Sequence, residues 1–235
     1  MFFIFKKSTI ILDCFISDDR IANLFPIEKT INAIPTWWKS LPKEINLDNY
    51  PVPMSTIKRC PGFKDLFANS ITIPAWGEYR LFLDPSGQFS YLSPNHKIEA
   101  VSHSNSQFQN AFDNYSHLKL TSPWFIKEKS GVKFSMLQAV WHQTNPSEFI
   151  IPPGMLEFKY QHATHINLIS SVGMQRKEIT ISAGNPITYL VPLTEKSVEI
   201  RVQVIDDKEC NKLKTYHHSF HNSYETSKKI LQETK

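Results

Sequence analysis

Histidine provides the side chains in this sequence best suited to chemistry near neutral pH. The chain contains nine histidines, and imidazole is both a common metal ligand and the usual proton carrier in this pH range. His162 and His165 lie three residues apart in the run QHATH. That spacing turns two rings to opposite faces of a strand, whereas a helix or a tight turn would bring them together. Because we predict a strand edge there, the spacing alone does not indicate a site.

Other segments could complete a metal site with these histidines. His142 precedes a polar turn, and Glu157 lies in a later predicted strand. A group formed by His142, Glu157, His162 and His165 would resemble the iron site of a cupin-like oxygenase, which needs two or three histidines and a carboxylate. The usual His-x-Asp or His-x-Glu signature is absent in that form. This alternative predicts a mononuclear enzyme that binds Fe(II) or another divalent metal, while the favoured hypothesis below needs no cofactor.

Two adjacent tryptophans form the second candidate site. Trp37 and Trp38 lie between Pro35 and Pro42. Exposed aromatic rings can stack on sugars or bases, so the pair could bind a ligand. Packing in the core is the other interpretation, since aromatic residues make up 12% of the chain.

Other catalytic motifs are missing, so we assign no catalytic residue. The sequence has no Gly-x-Ser-x-Gly elbow, and its seven glycines are isolated rather than grouped into a phosphate-binding loop. Cys14, Cys60 and Cys210 are far apart and form no CxxC pair. We expect them to be free thiols in a reducing compartment.

Charge and hydropathy indicate an intracellular location. The net charge of +4 comes from scattered Lys and Arg residues among acidic ones, so the sequence does not support nucleic-acid binding. The apolar residues 1–5 precede Lys6 and Lys7, which is the reverse of a signal peptide. No run approaches the roughly 18 to 20 apolar residues that span a bilayer. We therefore predict a cytoplasmic protein without a membrane segment.

Short strands dominate the predicted secondary structure. The 15 prolines against 7 glycines divide the chain into short runs. Both sets of alternate residues in 8–16 are apolar, which predicts a strand that is covered on both faces. The pattern of residues 61–69 predicts one amphipathic helix, and residues 78–92 are predicted to form a hairpin around a turn at 84–87. We predict that residues 71–76 pair with residues 78–83. Further strands are predicted at residues 118–120, 124–127, 133–138, 148–151, 156–160, 166–169, 177–181, 188–191 and 198–205.

This pattern predicts a mainly β fold, a β-sandwich or a cupin-like jelly roll with short peripheral helices. Residues 1–205 would form a single β-rich domain. The polar residues 95–116 would be a long loop or an exposed hairpin. Residues 206–235 would be a polar, helical C-terminal tail, because residues 223–235 lack proline and glycine.

Five motifs in fixed order resemble a protein family. They are residues 34–42 (IPTWWKSLP), 56–63 (TIKRCPGF), 122–125 (SPWF), 152–156 (PPGML) and 181–187 (ISAGNPI). Together they resemble an uncharacterised family encoded by tailed bacteriophages, notably those of marine cyanobacteria. The resemblance covers about residues 8–205 and implies a β-rich fold without implying an activity.

Two functional hypotheses follow from the residues and the resemblance. The favoured one is a phage-encoded binding or structural protein without enzymatic activity, either part of the virion or active on the infected host cell from its cytoplasm. It would contact a protein partner or a second copy of itself. The alternative is the cupin-like metal enzyme, which requires its candidate ligands to converge in one pocket.

Overall fold

The computed structural model describes residues 9–48, 50–92, 99–103, 114–143, 148–214, 225–226, 228–229 and 232. The strands are β1 (Ile10–Ile16), β2 (Glu28–Lys29), β3 (Glu44–Ile45), β4 (Met54–Ser55), β5 (Ile71–Pro74), β6 (Tyr79–Leu83), β7 (Phe89–Leu92), β8 (Glu99–His103), β9 (Tyr115–Thr121), β10 (Phe125–Lys127), β11 (Phe134–Gln138), β12 (Gly154–Leu156), β13 (Ile166–Ser171), β14 (Lys177–Ile181), β15 (Pro186–Pro192) and β16 (Val198–Val204). The helices are α1 (Asp19–Leu24), α2 (Thr36–Ser40), α3 (Pro61–Asn69) and α4 (Asp207–Lys214), with short 3₁₀ helices at Thr30–Ala33, Ile57–Arg59 and Val140–His142. The prediction of a mainly β chain with short helices is confirmed.

The strands form one five-stranded sheet and several smaller ones. The large sheet has the order β12-β11-β15-β5-β2. The three-stranded sheets have the orders β10-β1-β16, β13-β9-β8 and β14-β6-β7, and β3 pairs only with β4. The pairs are antiparallel except β1 with β16, which are parallel.

A common apolar core joins the four larger sheets. It includes Leu12 of β1, Ile73 of β5, Leu120 of β9 and Ile179 of β14. Alternation along the strands produces this core, because every second side chain of a strand points to the same face. The arrangement is consistent with the predicted β-sandwich.

Several local predictions are confirmed. The strand predicted at residues 8–16 is β1, whose alternate residues from Ile10 to Ile16 are buried. The predicted helix is α3, which begins with a proline at its first turn and buries Phe63 and Phe67. The predicted hairpin is β6–β7. Its turn is stabilised because the Asp84 carboxylate accepts hydrogen bonds from the amides of Ser86 and Gln88.

Other local predictions are wrong. Residues 71–76 and 78–83 do not pair, because β5 lies between β15 and β2 while β6 lies between β14 and β7. The predicted strand at 156–160 is replaced by a turn, in which the amide of Tyr160 donates to the Glu157 carbonyl. The strand predicted at 148–151 is reduced to a bridge between Ile150 and Ile169.

Two regions are only partly described. In the polar region at 95–116, β8 pairs with β9, as an exposed hairpin would, while residues 93–98 and 104–113 lie outside the described residues. The predicted tail begins with α4, whose Cys210 and Leu213 pack near Phe15 and Phe125. Most of the chain after Lys214 lies outside the described residues, so the helical tail and the boundary at residue 205 remain predictions. None of the helices in the described part of the chain is long and apolar enough to cross a membrane.

Candidate functional site

The two candidate tryptophans belong to a cluster of aromatic side chains at the surface of the large sheet. This aromatic cluster consists of Trp37 and Trp38 from α2, Phe63 and Phe67 from α3, and Trp141 from the 3₁₀ helix at Val140–His142. Prolines delimit α2, and the i, i+4 spacing of the two phenylalanines places both on one face of α3.

The two tryptophans have different environments. Trp38 stacks on Phe63 with ring centroids 6.1 Å apart and an interplanar angle of 7°. The Nζ of Lys58 lies 5.3 Å from the Trp38 ring centroid and forms a cation–π contact with this ring. Trp37 is 42% exposed, and its indole nitrogen donates a 2.9 Å hydrogen bond to the Trp141 carbonyl. Trp38 is therefore a packing residue, whereas part of Trp37 faces the solvent.

A hairpin next to this cluster carries many exposed apolar side chains. We call residues 44–57 the apolar arm, which includes β3 and β4. Its exposed large residues are Ile45, Leu47, Tyr50 (57%), Val52 (65%), Met54 and Ile57. In the described chain, β3 and β4 pair with each other and with no other strand. Monomeric soluble proteins rarely leave large apolar patches uncovered, so these exposed side chains make the arm a candidate interaction surface.

The base of the apolar arm is fixed to the body. The Thr56 hydroxyl donates to the Pro42 carbonyl, the Lys58 ammonium donates to the carbonyls of Lys39 and Leu41 at 2.8 Å, and Arg59 forms a 2.8 Å ion pair with Glu44. Isolated two-stranded hairpins are only marginally stable in water, so these contacts hold the arm in place.

Two prolines stiffen the tip of the arm. Pro51 and Pro53 flank Val52 in the sequence YPVPM. Each ring fixes a backbone angle and removes an N–H group, which reduces the conformational entropy that the arm would lose on binding. The arm therefore presents Val52 on a chain segment with restricted freedom.

A groove lies beside α3 and the end of β15. Its volume is about 830 Å³, and its lining includes Leu66 of α3 together with Val191 and Leu193 near the end of β15. Leu193 is an exposed apolar residue. The lining also includes the charged residues Lys29, Asp65, Glu195 and Lys196.

His142 supports the aromatic cluster. The Ala33 carbonyl can only accept a hydrogen bond, so the Nε2 of His142 donates to it. In the neutral ring, Nδ1 then accepts from the Tyr189 hydroxyl at 2.7 Å. Burial lowers the pKa of His142, although the bond with Ala33 opposes this shift. Burial also raises the pKa of Tyr189.

The other candidate ligands have different contacts. The Nδ1 of His162 lies 3.0 Å from the Ile126 carbonyl and 3.1 Å from the Phe158 carbonyl, so it donates to backbone acceptors. The Oε2 of Glu157 lies 3.9 Å from the Nζ of Lys228. His165 is half-buried, next to the first residue of β13.

The structure does not bring the four predicted ligands together. Among the residues described, no three His, Cys, Asp or Glu side chains form a group that could hold a metal ion. The predicted site required convergence of His142, Glu157, His162 and His165. The chain between β12 and β13 is irregular, with one bridge from Ala163 to Phe125, instead of the predicted strand edge.

The apolar arm was not predicted from the sequence, although a signal was present. Ile45 and Leu47, and later Val52 and Met54, alternate with polar residues or prolines. Such alternation is typical of strands with one apolar face. The prolines obscured it.

Comparisons with models of protein families, with curated proteins and with solved structures find no match to this chain. The resemblance to a tailed-phage family therefore remains a prediction.

Proposed function

We propose that this chain is a binding or structural protein without enzymatic activity, and that it works by self-association through the apolar arm. The observation that carries the proposal is the run of exposed apolar side chains at residues 44–57, fixed at its base and stiffened by proline. Burial of these side chains against another protein surface would remove apolar area from water, which is the main favourable term in association.

The occupant that we propose is a second copy of the chain. The same chain carries both the exposed arm and the groove beside α3, so one copy can offer the arm while the next offers the groove. Val52 is the most exposed apolar residue of the arm, and Leu193 is an exposed apolar residue of the groove. We propose that Val52 of one copy contacts Leu193 of the next copy.

An arm-to-groove contact is heterologous, because each copy uses a different surface. Such contacts form rings when the rotation closes and filaments when it does not. Repeated contacts of this type suit a structural protein. Because of the phage resemblance, we extend the proposal to a component of the virion. In the second version of the proposal, the chain acts on the infected host cell and self-associates through the same arm.

Sedimentation velocity over a range of protein concentrations tests the proposal. We expect the unmodified chain to form oligomers, and we expect Val52→Asp to weaken their formation by about tenfold or more, because a charge would enter a desolvated contact. Met174→Asp is the matched control, since Met174 is a fully exposed apolar residue outside both the arm and the groove.

Circular dichroism establishes that both variants remain folded. Equal sedimentation of Val52→Asp and the unmodified chain at every concentration would refute the role of the arm. Equal losses in Val52→Asp and Met174→Asp would show a general effect of charge and would refute it as well.

A further inference from the structure

A different surface, at the edge of a three-stranded sheet, has unused backbone hydrogen-bonding groups. β16 pairs with β1 along one side, from Ile10 opposite Val198 to Ile16 opposite Val204. Within the residues that the structure describes, no strand pairs with the other side of β16. Open strand edges readily pair with another chain unless they are protected.

The ladder to β1 shows which residues face the open edge. Ile10 N donates to the Ser197 carbonyl at 2.8 Å, and Ile205 N donates to the Ile16 carbonyl at 2.9 Å. In a parallel pair, alternate residues of each strand bond to the partner. The odd-numbered residues of β16 therefore bond to β1. The N–H and C=O groups that point to the open edge belong to Val198, Ile200, Val202 and Val204.

The core-facing row of β16 is incompletely covered. Its register partners in β1, from Ile10 to Ile16, are buried. The same row in β16 begins buried at Val198 but reaches 39% exposure at Val202 and 52% at Val204. The sheet thus ends with apolar side chains that another strand could cover.

The opposite face of β16 carries opposite charges two residues apart. Glu199 and Arg201 form an exposed ion pair with a distance of 2.8 Å. If a second copy paired antiparallel with Ile200 opposite Ile200, Glu199 of each copy would face Arg201 of the other. These would be non-hydrogen-bonded positions, where facing side chains come closest. Centring the pair on Glu199 or on Arg201 would instead place like charges opposite each other.

We propose that two copies of this chain pair through β16, antiparallel and about a two-fold axis at Ile200. In this register, Val198 faces Val202 of the second copy on the apolar face, and Glu199 faces its Arg201 on the other face. The backbone groups at the open edge then bond to their counterparts, and the two three-stranded sheets become one continuous sheet. This two-fold contact is separate from the arm and does not depend on it.

Proline tests the backbone part of the proposal. The Val202 N–H points away from β1, so Val202→Pro removes a donor at the open edge and leaves the ladder to β1 intact. Sedimentation equilibrium is measured in a chain that carries Val52→Asp, so that arm contacts do not contribute. We expect a dimer without Val202→Pro and a monomer with it. A monomer in both chains, or an equal dimer in both, would overturn the proposal.

Charge exchange tests the register. All chains in this series carry Val52→Asp, as above, and also Asp13→Asn, because Asp13 is opposite Arg201 on β1 and would repel an acidic residue there. We expect Glu199→Arg to weaken the dimer by about tenfold, since two cross-strand attractions become repulsions. The double variant Glu199→Arg with Arg201→Glu should recover most of the affinity. Loss without recovery, or no loss in Glu199→Arg, would overturn the register.

Discussion

The Tyr189 hydroxyl and the Nδ1 of His142 are 2.7 Å apart, and this hydrogen bond connects the central strand β15 to the short helix that carries Trp141. The other ring nitrogen of His142 bonds to the Ala33 carbonyl, beside the segment that leads to the two tryptophans. His142 thus connects the segments that carry the aromatic cluster to the central strand. This cluster lies beside the base of the apolar arm.

The Tyr189–His142 bond should contribute measurably to stability. Tyr189→Phe leaves the half-buried Nδ1 of His142 without its donor, so we expect the free energy of unfolding to fall by about 1 to 2 kcal/mol. Urea denaturation measures this change. A double-mutant cycle with His142→Phe isolates the pair, and a coupling energy near zero would show that the contact does not stabilise the fold.

His142 should also make stability depend on pH. Burial lowers its folded-state pKa below the ordinary value of 6.5. The unfolded chain therefore takes up a proton at a higher pH than the folded chain. The stabilisation is complete above pH 6.5 and is lost as the pH falls through the folded pKa. We expect the unfolding free energy of the unmodified chain to decrease between pH 8 and pH 5.5 more steeply than that of His142→Phe. Parallel pH profiles would contradict this role.

The Asp18 side chain should stabilise α1 as its N-cap. It accepts hydrogen bonds from the amides of Arg20 and Ile21. Burial alone would raise its pKa, but these bonds and the Arg20 charge outweigh burial and lower it. We expect Asp18→Ala to cost about 1 kcal/mol, whereas Asp18→Asn keeps an acceptor and should cost less.

The lowered pKa of Asp18 determines how its contribution to stability changes with pH. The stabilisation by the carboxylate is present above the ordinary pKa of 3.8 and is lost as the pH falls through the folded value. Acid denaturation of Asp18→Asn should therefore show a weaker dependence on pH in this range. Equal acid sensitivity of Asp18→Asn and the unmodified chain would contradict the assignment.

Gly87 should be required in the β6–β7 turn. Its φ angle is +81°, and an added Cβ would lie 3.6 Å from Val172 Cγ2, so the cost would come from the backbone conformation more than from crowding. We expect Gly87→Ala to lower stability by about 1 to 2 kcal/mol. Gly62→Ala is the matched control, because Gly62 lies in α3 with open space around its Cβ position. Equal effects of the two substitutions would contradict the prediction.

The fold was predictable from sequence where the determinants are local. The apolar alternation of β1, the spacing of Phe63 and Phe67 in α3 and the turn residues at Asp84 and Gly87 act within a few neighbouring positions. Strand pairing was not predictable in this way, because β5 and β6 are neighbours in sequence but join different sheets. The parallel partner of β1 is β16, which lies more than 180 residues later in the sequence.

The candidate site was predictable only in part. Adjacent aromatic residues identified Trp37 and Trp38, but their different exposures depend on Phe63 and Trp141 from distant segments. The residue type of His142 led to its prediction as a metal ligand, whereas its two ring nitrogens form hydrogen bonds with Tyr189 and Ala33. Residue type and spacing cannot reveal such partners, because tertiary packing determines which groups meet.

Mixing two variants tests the self-association through the apolar arm most directly. One chain carries Val52→Asp, which disables the arm, and the other carries Leu193→Asp, which disables the groove. Both also carry Val202→Pro, so that pairing through β16 does not contribute. We predict that each chain alone is monomeric in sedimentation velocity and that an equimolar mixture forms a one-to-one complex, because one intact arm can still bind one intact groove. A mixture that remains monomeric at concentrations where the Val202→Pro chain itself forms oligomers would contradict the arm-to-groove contact.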